Sequence, residues 1–111
     1  MPSHVIYSRK SQEEDDKQVQ SIPDQEAEMH SVALRLHLTV AERLSEARSA
    51  KAPGRPVFDS LMRRVERGEV GGILCWKLDR LARNPVDGGR IIWAIKQHGL
   101  VVHTPQQTFS H

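Results

Sequence analysis

The sequence predicts an α/β domain in three layers, with a mainly parallel central sheet between helices. Short segments rich in strand-forming residues alternate along the chain with amphipathic segments, and this alternation is typical of parallel sheets. The chain has 111 residues, of which 38% are apolar, and this is enough for one hydrophobic core. We therefore expect one domain over residues 1–111, in the order strand, helix, strand, helix, strand, helix, strand.

The first strand and the first helix are predicted on either side of a polar loop. Residues 4–7 are rich in strand-forming side chains, whereas residues 12–18 are strongly polar and have no hydrophobic period. Ser21 suits an N-cap, and Pro23 is tolerated in the first turn of the helix that follows. The apolar residues of this helix have the spacing of one helical face: Met29, Val32, Ala33 and Leu36.

The second strand and the second helix are separated by another polar segment. The strand is expected over residues 38 to about 44, and residues 45–54 are interpreted as a loop. Pro56 suits the first turn of the helix, and Gly68 ends it. Its apolar face is the most regular in the chain: Phe58, Leu61, Met62 and Val65.

The last third of the chain predicts a third helix between further strands. These elements are a buried strand over residues 72–76, a helix from Asn84 to Gly99 and a strand over residues 100–103. Asn84 and Pro85 suit the N-cap and the first turn of the helix. Five large apolar side chains are expected to pack inward: Ile91, Ile92, Ile95, Trp76 and Trp93.

Polar clusters follow three of the predicted strands. Residues 8–11 follow the first strand, residues 54–55 the second and residues 79–83 the third. Because the carboxyl ends of parallel strands meet at one edge of a sheet, where ligands bind, we expect these clusters to lie together. A serine hydroxyl, the Asp79 carboxylate and four arginines would then converge on one edge: Arg9, Arg55, Arg80 and Arg83.

Arg80 and Arg83 predict a binding site for an oxyanion. They are three residues apart, so on a helical turn they would share a face, with Asp79 four residues before Arg83. Two fixed guanidinium groups form a fork whose planar donors match a phosphate. For this cluster alone, a solvated helix start with an Asp–Arg pair is the alternative.

Charge and composition narrow the classes of function. The formal net charge is only +2, but the acidic run at residues 13–16 contrasts with the Arg-rich residues 55–90, which favours one phosphate-facing surface. The single cysteine, Cys75, lies in a predicted strand, so we expect no disulfide and a reducing cytoplasm. No signal peptide and no membrane-spanning segment are expected. The six histidines form no i, i+4 pair, so a zinc site is not expected.

Four motifs resemble those of the serine recombinases, the resolvase/invertase family, and follow the family's order. They are YSRKS at residues 7–11, QSIPDQ at residues 20–25, GRPVF at residues 54–58 and KLDRLAR at residues 77–83. The acidic insertion between Ser11 and Gln20 is longer than in small resolvases, and in this the chain resembles most the large serine recombinases. The resemblance implies site-specific DNA recombination and a resolvase-like fold, whose last sheet strand would begin at Thr108 and Phe109.

The resemblance also implies the chemistry. Ser11 would attack a DNA phosphodiester to form a 5′-phosphoserine intermediate, and strand exchange and religation would follow with no cofactor and no metal ion. The phosphate oxygens would be held by Arg9, Arg55, Arg80 and Arg83. Asp79 would orient an arginine or help to accept the serine proton. The supporting residues near the site would be Tyr7, Gln20, Gln25 and Lys77.

The partners implied are double-stranded DNA and, in the full-length protein, further copies of the chain in a dimer or tetramer. In the family a long helix and DNA-binding domains follow the catalytic domain, so we expect residues 1–111 alone to fold but to be inactive. Two alternatives remain open. One is a metal-dependent phosphodiesterase or nuclease in which Asp79 and the acidic run hold Mg²⁺. The other is an inactive protein-interaction module of the same fold.

Overall fold

The computed structural model describes residues 3–10, 21–47 and 53–111. The elements are, in chain order, β1 (Ser3–Arg9), α1 (Ile22–Arg35), β2 (Val40–Glu46), α2 (Pro56–Glu66), β3 (Val70–Leu74), α3 (Leu78–Leu81), α4 (Pro85–His98), β4 (Val101–His103) and β5 (Thr108–Phe109). Strands and helices alternate much as predicted. In these three ranges, no helix has the length and apolar character that crossing a membrane requires.

The strands form one five-stranded sheet with the order β2-β1-β3-β4-β5. The pairs β1–β2, β1–β3 and β3–β4 are parallel, whereas β5 pairs antiparallel with β4. The predictions of a mainly parallel sheet and of a last strand at Thr108 and Phe109 are therefore confirmed. Because β1 lies between β2 and β3, the segments that follow these three strands leave the sheet side by side.

Side chains of β1 alternate between the two faces of the sheet. Val5 and Tyr7 pack in one core with Phe58 of α2 and with residues of α4. Ile6 packs in a second core with Met29 of α1. The sheet thus lies between α1 on one face and α2 and α4 on the other, which confirms the three-layer prediction.

Local capping sets the starts of α1 and α4 where the sequence predicts them. Ser21 Oγ accepts a hydrogen bond from the backbone N of Asp24 at 3.2 Å, and Asn84 Oδ1 accepts one from the backbone N of Asp87 at 2.9 Å. α4 ends at Gly99, whose φ of 69° lies in the left-handed region that glycine adopts without strain.

β2 is shifted by two residues from its predicted position: it spans Val40–Glu46 instead of residues 38 to about 44. Pairing with β1 explains the later end of β2: Ser8 lies opposite Ser45, and Arg9 lies opposite Glu46. The sheet neighbour overrides the polar composition that locally favoured a loop. β3 also differs, since it begins and ends two residues earlier than predicted.

α4 packs on the core with only part of the predicted apolar set: Ile91 and Ile95 face the core as predicted, but Ile92 and Trp93 do not. Ile91 and Ala94 are buried, whereas Ile92 is 57% exposed and Trp93 60% exposed. Successive helical residues are rotated by about 100°, so a face that buries Ile91 and Ala94 turns the two residues between them outward. The prediction that Ile92 and Trp93 pack inward was wrong. Trp76 does pack, against the core on the α1 side of the sheet.

Candidate active site

Arg9 lies at the end of β1 and is fully buried. Its Nε donates a hydrogen bond to the backbone oxygen of Arg80 at 3.0 Å. The Gln25 side chain on α1 bonds to both backbone groups of Arg9: Oε1 accepts from N at 3.2 Å, and Nε2 donates to O at 3.0 Å. Gln25 thus fixes the backbone two residues before Ser11. Ser11 and Gln20 themselves lie outside the described residues.

The arginines after β3 differ in geometry from the predicted fork. α3 is one turn long, and Ala82 after it is extended (φ −156°, ψ 141°), so Arg80 and Arg83 do not share a helical face. Arg80 is buried, with its Nε 3.5 Å from Oδ1 of Asp79, whereas Arg83 is exposed. The shared face predicted for the two arginines was therefore wrong, and Asp79 pairs with Arg80.

Trp76 supports this basic segment from the side of the sheet. The guanidinium carbon of Arg80 lies 5.8 Å from the centre of the Trp76 ring, and Lys77 Nζ lies 4.8 Å from it. Both distances are within the range of cation–π attraction. Lys77 is exposed, so its ammonium group remains at the surface beside α3.

Arg55 lies beneath the site instead of at its open edge. It is the N-cap residue of α2, and only 1% of it is exposed. Nη1 donates to the Tyr7 hydroxyl at 3.1 Å, and Nη2 donates to the backbone oxygen of Leu81 and to Oδ2 of Asp87. The guanidinium carbon also lies 4.1 Å from the centre of the Phe58 ring. Arg55 therefore joins β1, α2, α3 and α4.

Glu46 is a residue of this site that the sequence pattern did not reveal. Its buried carboxylate accepts hydrogen bonds from the Tyr7 hydroxyl at 2.6 Å and from the backbone N of Val57 and Phe58 at 2.9 and 3.1 Å. The first amides of a helix lack intrahelical partners and lie at the positive end of its dipole, so a carboxylate is favoured here. Glu46 precedes Val57 by 11 positions, so no local capping pattern links them. A prediction that extended β2 to Glu46 would have placed this carboxylate at the site.

Burial determines the protonation of two further groups. Burial, reinforced by the hydrogen bond to Glu46, raises the pKa of Tyr7 well above its ordinary value, although the Arg55 charge lowers it. Burial also raises the pKa of the Cys75 thiol to about 12. Tyr7 and Cys75 therefore stay protonated at neutral pH and are poor nucleophiles.

Buried arginines bring the segments after β1, β2 and β3 together at one edge of the sheet. Arg9 donates to the backbone oxygen of Arg80, and Arg55 donates to that of Leu81. The last carbonyls of a helix have no partners within the helix, so these two arginines cap α3 and fix the backbone that carries Asp79. The result is a cluster of cationic side chains held in fixed positions at this edge of the sheet, an arrangement that suits an oxyanion. The described ranges contain no group of three or more metal-ligating side chains.

The sequence model of one family, described as the resolvase N-terminal domain, matches residues 4–110. The chain belongs to the resolvase family. The identification of a serine recombinase catalytic domain from the motifs is thus confirmed, and with it an enzyme of site-specific DNA recombination. No curated protein has a sequence that matches this chain significantly.

Solved structures share the fold of this resolvase-family domain. The C-terminal catalytic domain of ISC1926 TnpA, an IS607-like serine recombinase, has a TM-score of 0.75 at 23% identity, and the match covers 93% of this chain and 67% of that one. The N-terminal catalytic domain of TP901-1 integrase has a TM-score of 0.75 at 22% identity, covering 94% and 78%. A resolvase family site-specific recombinase from Streptococcus pneumoniae has a TM-score of 0.73 at 21% identity, covering 96% and 73%.

Proposed function

We propose that this domain cuts and rejoins double-stranded DNA through a covalent bond to Ser11. Ser11 Oγ attacks a backbone phosphorus, the bond from phosphorus to the 3′-oxygen breaks, and the 3′-oxygen leaves as a hydroxyl group. After strand exchange, a 3′-hydroxyl attacks the phosphoserine and releases the serine. Each step exchanges one phosphate ester for another, so religation requires no cofactor.

The observation that carries this proposal is the capping of α3 by Arg9 and Arg55. The two bonds hold Asp79 and Arg80 beside the end of β1, and Ser11 follows Arg9 by two residues. Donors fixed in this way stabilise the charge of a phosphate transition state without having to reorganise. These contacts support Ser11 as the nucleophile, because the charged groups meet at the end of β1, from which the chain continues to Ser11.

The proposed roles of the charged residues follow from their positions and contacts. Arg80 and the exposed Arg83 bind the non-bridging oxygens, and Asp79 orients Arg80, its partner at 3.5 Å. Arg9 and Arg55 contribute positive charge from below and hold α3 in place.

The supporting residues hold the protein around the charged groups in place or contact the DNA. Gln25 clamps the backbone of Arg9, and Gln20 belongs to the segment that carries the nucleophile. Tyr7 links Glu46 to the rest of the site through its hydroxyl. The exposed Lys77 suits a contact with a neighbouring DNA phosphate.

Self-association in the full-length protein, as a dimer or tetramer, is supported by the outer face of α4. Val86, Ile92 and Trp93 are each more than half exposed. This face adjoins a cavity of about 180 Å³ with apolar walls that include Leu78 and Phe109. Exposed apolar surface of this kind is typical of an interface. Self-association also fits the reaction, because the exchange of DNA strands requires several subunits. A DNA substrate and a single cysteine that lies in a buried position fit the cytoplasm. The long acidic insertion fits the large serine recombinase branch.

The reaction type is tested with a suicide DNA substrate that carries a nick next to the cleavage site, incubated with the complete protein in EDTA. We expect a protein–DNA complex that survives denaturant, together with a free 3′-hydroxyl end. DNA that is cut without attached protein, and only after Mg²⁺ is added, would instead establish the metal-dependent nuclease.

A further inference from the structure

Asp87 and Arg55 form a buried ion pair beneath the site. Arg55 Nη2 lies 3.1 Å from Asp87 Oδ2, and the two side chains are 1% and 4% exposed. Among the described residues, Asp87 is the one carboxylate in direct contact with Arg55, because Glu46 reaches it only through the Tyr7 hydroxyl. The charge of Arg55 is therefore balanced at close range from α4.

The Asp87 carboxylate is itself held in place. Its Oδ2 also accepts a hydrogen bond from Asn84 Nδ2 at 2.8 Å, while the backbone N of Asp87 donates to Asn84 Oδ1 at 2.9 Å. Asp87 lies in the first turn of α4, where the helix dipole favours negative charge. These interactions orient the carboxylate independently of Arg55.

Arg55 links Asp87 to α3, the helix that contains Asp79 and Arg80. The same Nη2 that bonds to Asp87 also bonds to the backbone oxygen of Leu81, the last residue of α3. Its other partner is the hydroxyl of Tyr7. Without Asp87, the hydrogen-bond acceptors of Arg55 would be the Leu81 carbonyl and the Tyr7 hydroxyl, which are both neutral. Neutral acceptors hold a guanidinium group less firmly than a carboxylate does.

We propose that Asp87 is a positioning residue of the recombination reaction. It holds Arg55 on the end of α3, and α3 in turn sets the position of Arg80 relative to the DNA phosphate. This inference rests on the proposed function of Ser11 and its arginines. A misplacement of about 1 Å costs on the order of 100-fold in rate, so a small shift of α3 is enough to matter.

A purely structural role of the ion pair would have a different signature. It would lower the amount of folded protein and hence the final yield of covalent complex, but it would leave the rate constant of the folded molecules unchanged. A positioning role lowers the rate constant at saturating DNA and leaves both the final yield and the DNA affinity nearly unchanged.

The test compares Asp87→Asn with wild type in single-turnover formation of the covalent complex on suicide DNA, using the complete protein. We expect a rate constant that is roughly 10- to 100-fold lower, with a dissociation constant for DNA changed by less than about 3-fold. The matched control is Asp59→Asn, which removes the carboxylate of the half-buried pair between Asp59 and Arg90 (3.6 Å) at the α2–α4 contact. The control should react at the wild-type rate.

Loss of one charge of a buried pair destabilises a protein strongly, so a second comparison includes a double variant in which neither charge is left alone. Arg55→Met is measured with and without Asp87→Asn, because the double variant buries neither charge. If Asp87 acts through Arg55, Asp87→Asn has no further effect on the rate in the Arg55→Met background. If Asp87→Asn lowers the rate constant in the Arg55→Met background by the same factor as in the wild type, the inference is overturned.

The outcomes separate this inference from the proposed function. If wild-type protein forms the serine adduct and Asp87→Asn forms it at the same rate, Asp87 does not position the site and the inference is wrong. If wild-type protein forms no serine adduct, the proposed function fails, and the inference fails with it.

Discussion

Replacement of Glu46 by glutamine should destabilise the domain markedly, because one buried carboxylate serves three donors. It accepts hydrogen bonds from the Tyr7 hydroxyl and from the backbone N of Val57 and Phe58. A carboxamide turns an NH₂ group toward at least one of these donors, and loss of a hydrogen bond to a charged group costs about 1.5–3 kcal/mol. Loss of the charge at the start of α2 costs about 0.3–1 kcal/mol more. We expect the free energy of unfolding to fall by about 2–4 kcal/mol.

Urea denaturation followed by circular dichroism measures this change. The matched control is Glu42→Gln on the same strand, whose carboxylate pairs with Arg64 at 2.7 Å on a partly exposed surface. Exposed pairs contribute about 0–1 kcal/mol, so the control should change little. Equal effects of Glu46→Gln and Glu42→Gln would refute the view that Glu46 anchors α2.

Three further predictions concern the site, the surface pairs and self-association. Arg80→Lys keeps the charge but loses the planar fork, so DNA cleavage should slow by roughly 100-fold or more while DNA binding changes little in a binding titration. The hydrogen bond from Arg90 lowers the pKa of Glu66 below its ordinary value of 4.5, so the stability that Glu66 contributes is complete above that pH and is lost as the pH falls through the lower folded value. Glu66→Gln should therefore destabilise the protein more at neutral than at acid pH in urea titrations. Trp93→Glu on α4 should weaken self-association in light scattering, whereas Leu34→Glu, at a still more exposed apolar position on α1, should not.

Each of these predictions has a result that contradicts it. A kinetically silent Arg80→Lys would mean that Arg80 does not bind the phosphate. A destabilisation by Glu66→Gln that is the same at neutral and acid pH would mean that the charge of Glu66 contributes nothing. Equal effects of Trp93→Glu and Leu34→Glu on self-association would remove α4 as the interface.

Features that depend on neighbours in sequence could be predicted from the sequence. Ser21 and Asn84 each cap the helix that begins at the next residue, and Gly99 ends a helix by its own conformational freedom. The parallel sheet follows from the alternation of such local elements. The motif residues also led to the family, because they occur in one order over nearly the whole chain.

Features that depend on contacts across the fold could not be predicted. Glu46 belongs to β2 because β1 continues beside it, and its main partner Tyr7 lies 39 positions away. Arg55 lies directly before a helix, a position that is usually exposed. It is buried here because Asp87, 32 positions away, forms an ion pair with it. Ile92 fits the apolar pattern as well as its buried neighbour does, and only the packing of α4 on the sheet decides between them.

The central claim is that Ser11, two residues after the end of β1, forms the bond to DNA. The most direct measurement traps the covalent complex on suicide DNA, digests both components and locates the phosphorylated residue by mass spectrometry. We expect the nucleotide on Ser11, and we expect Ser11→Ala to abolish the complex while keeping the fold and the affinity for DNA. A nucleotide on Tyr7, or a complex that persists in Ser11→Ala, would contradict the account.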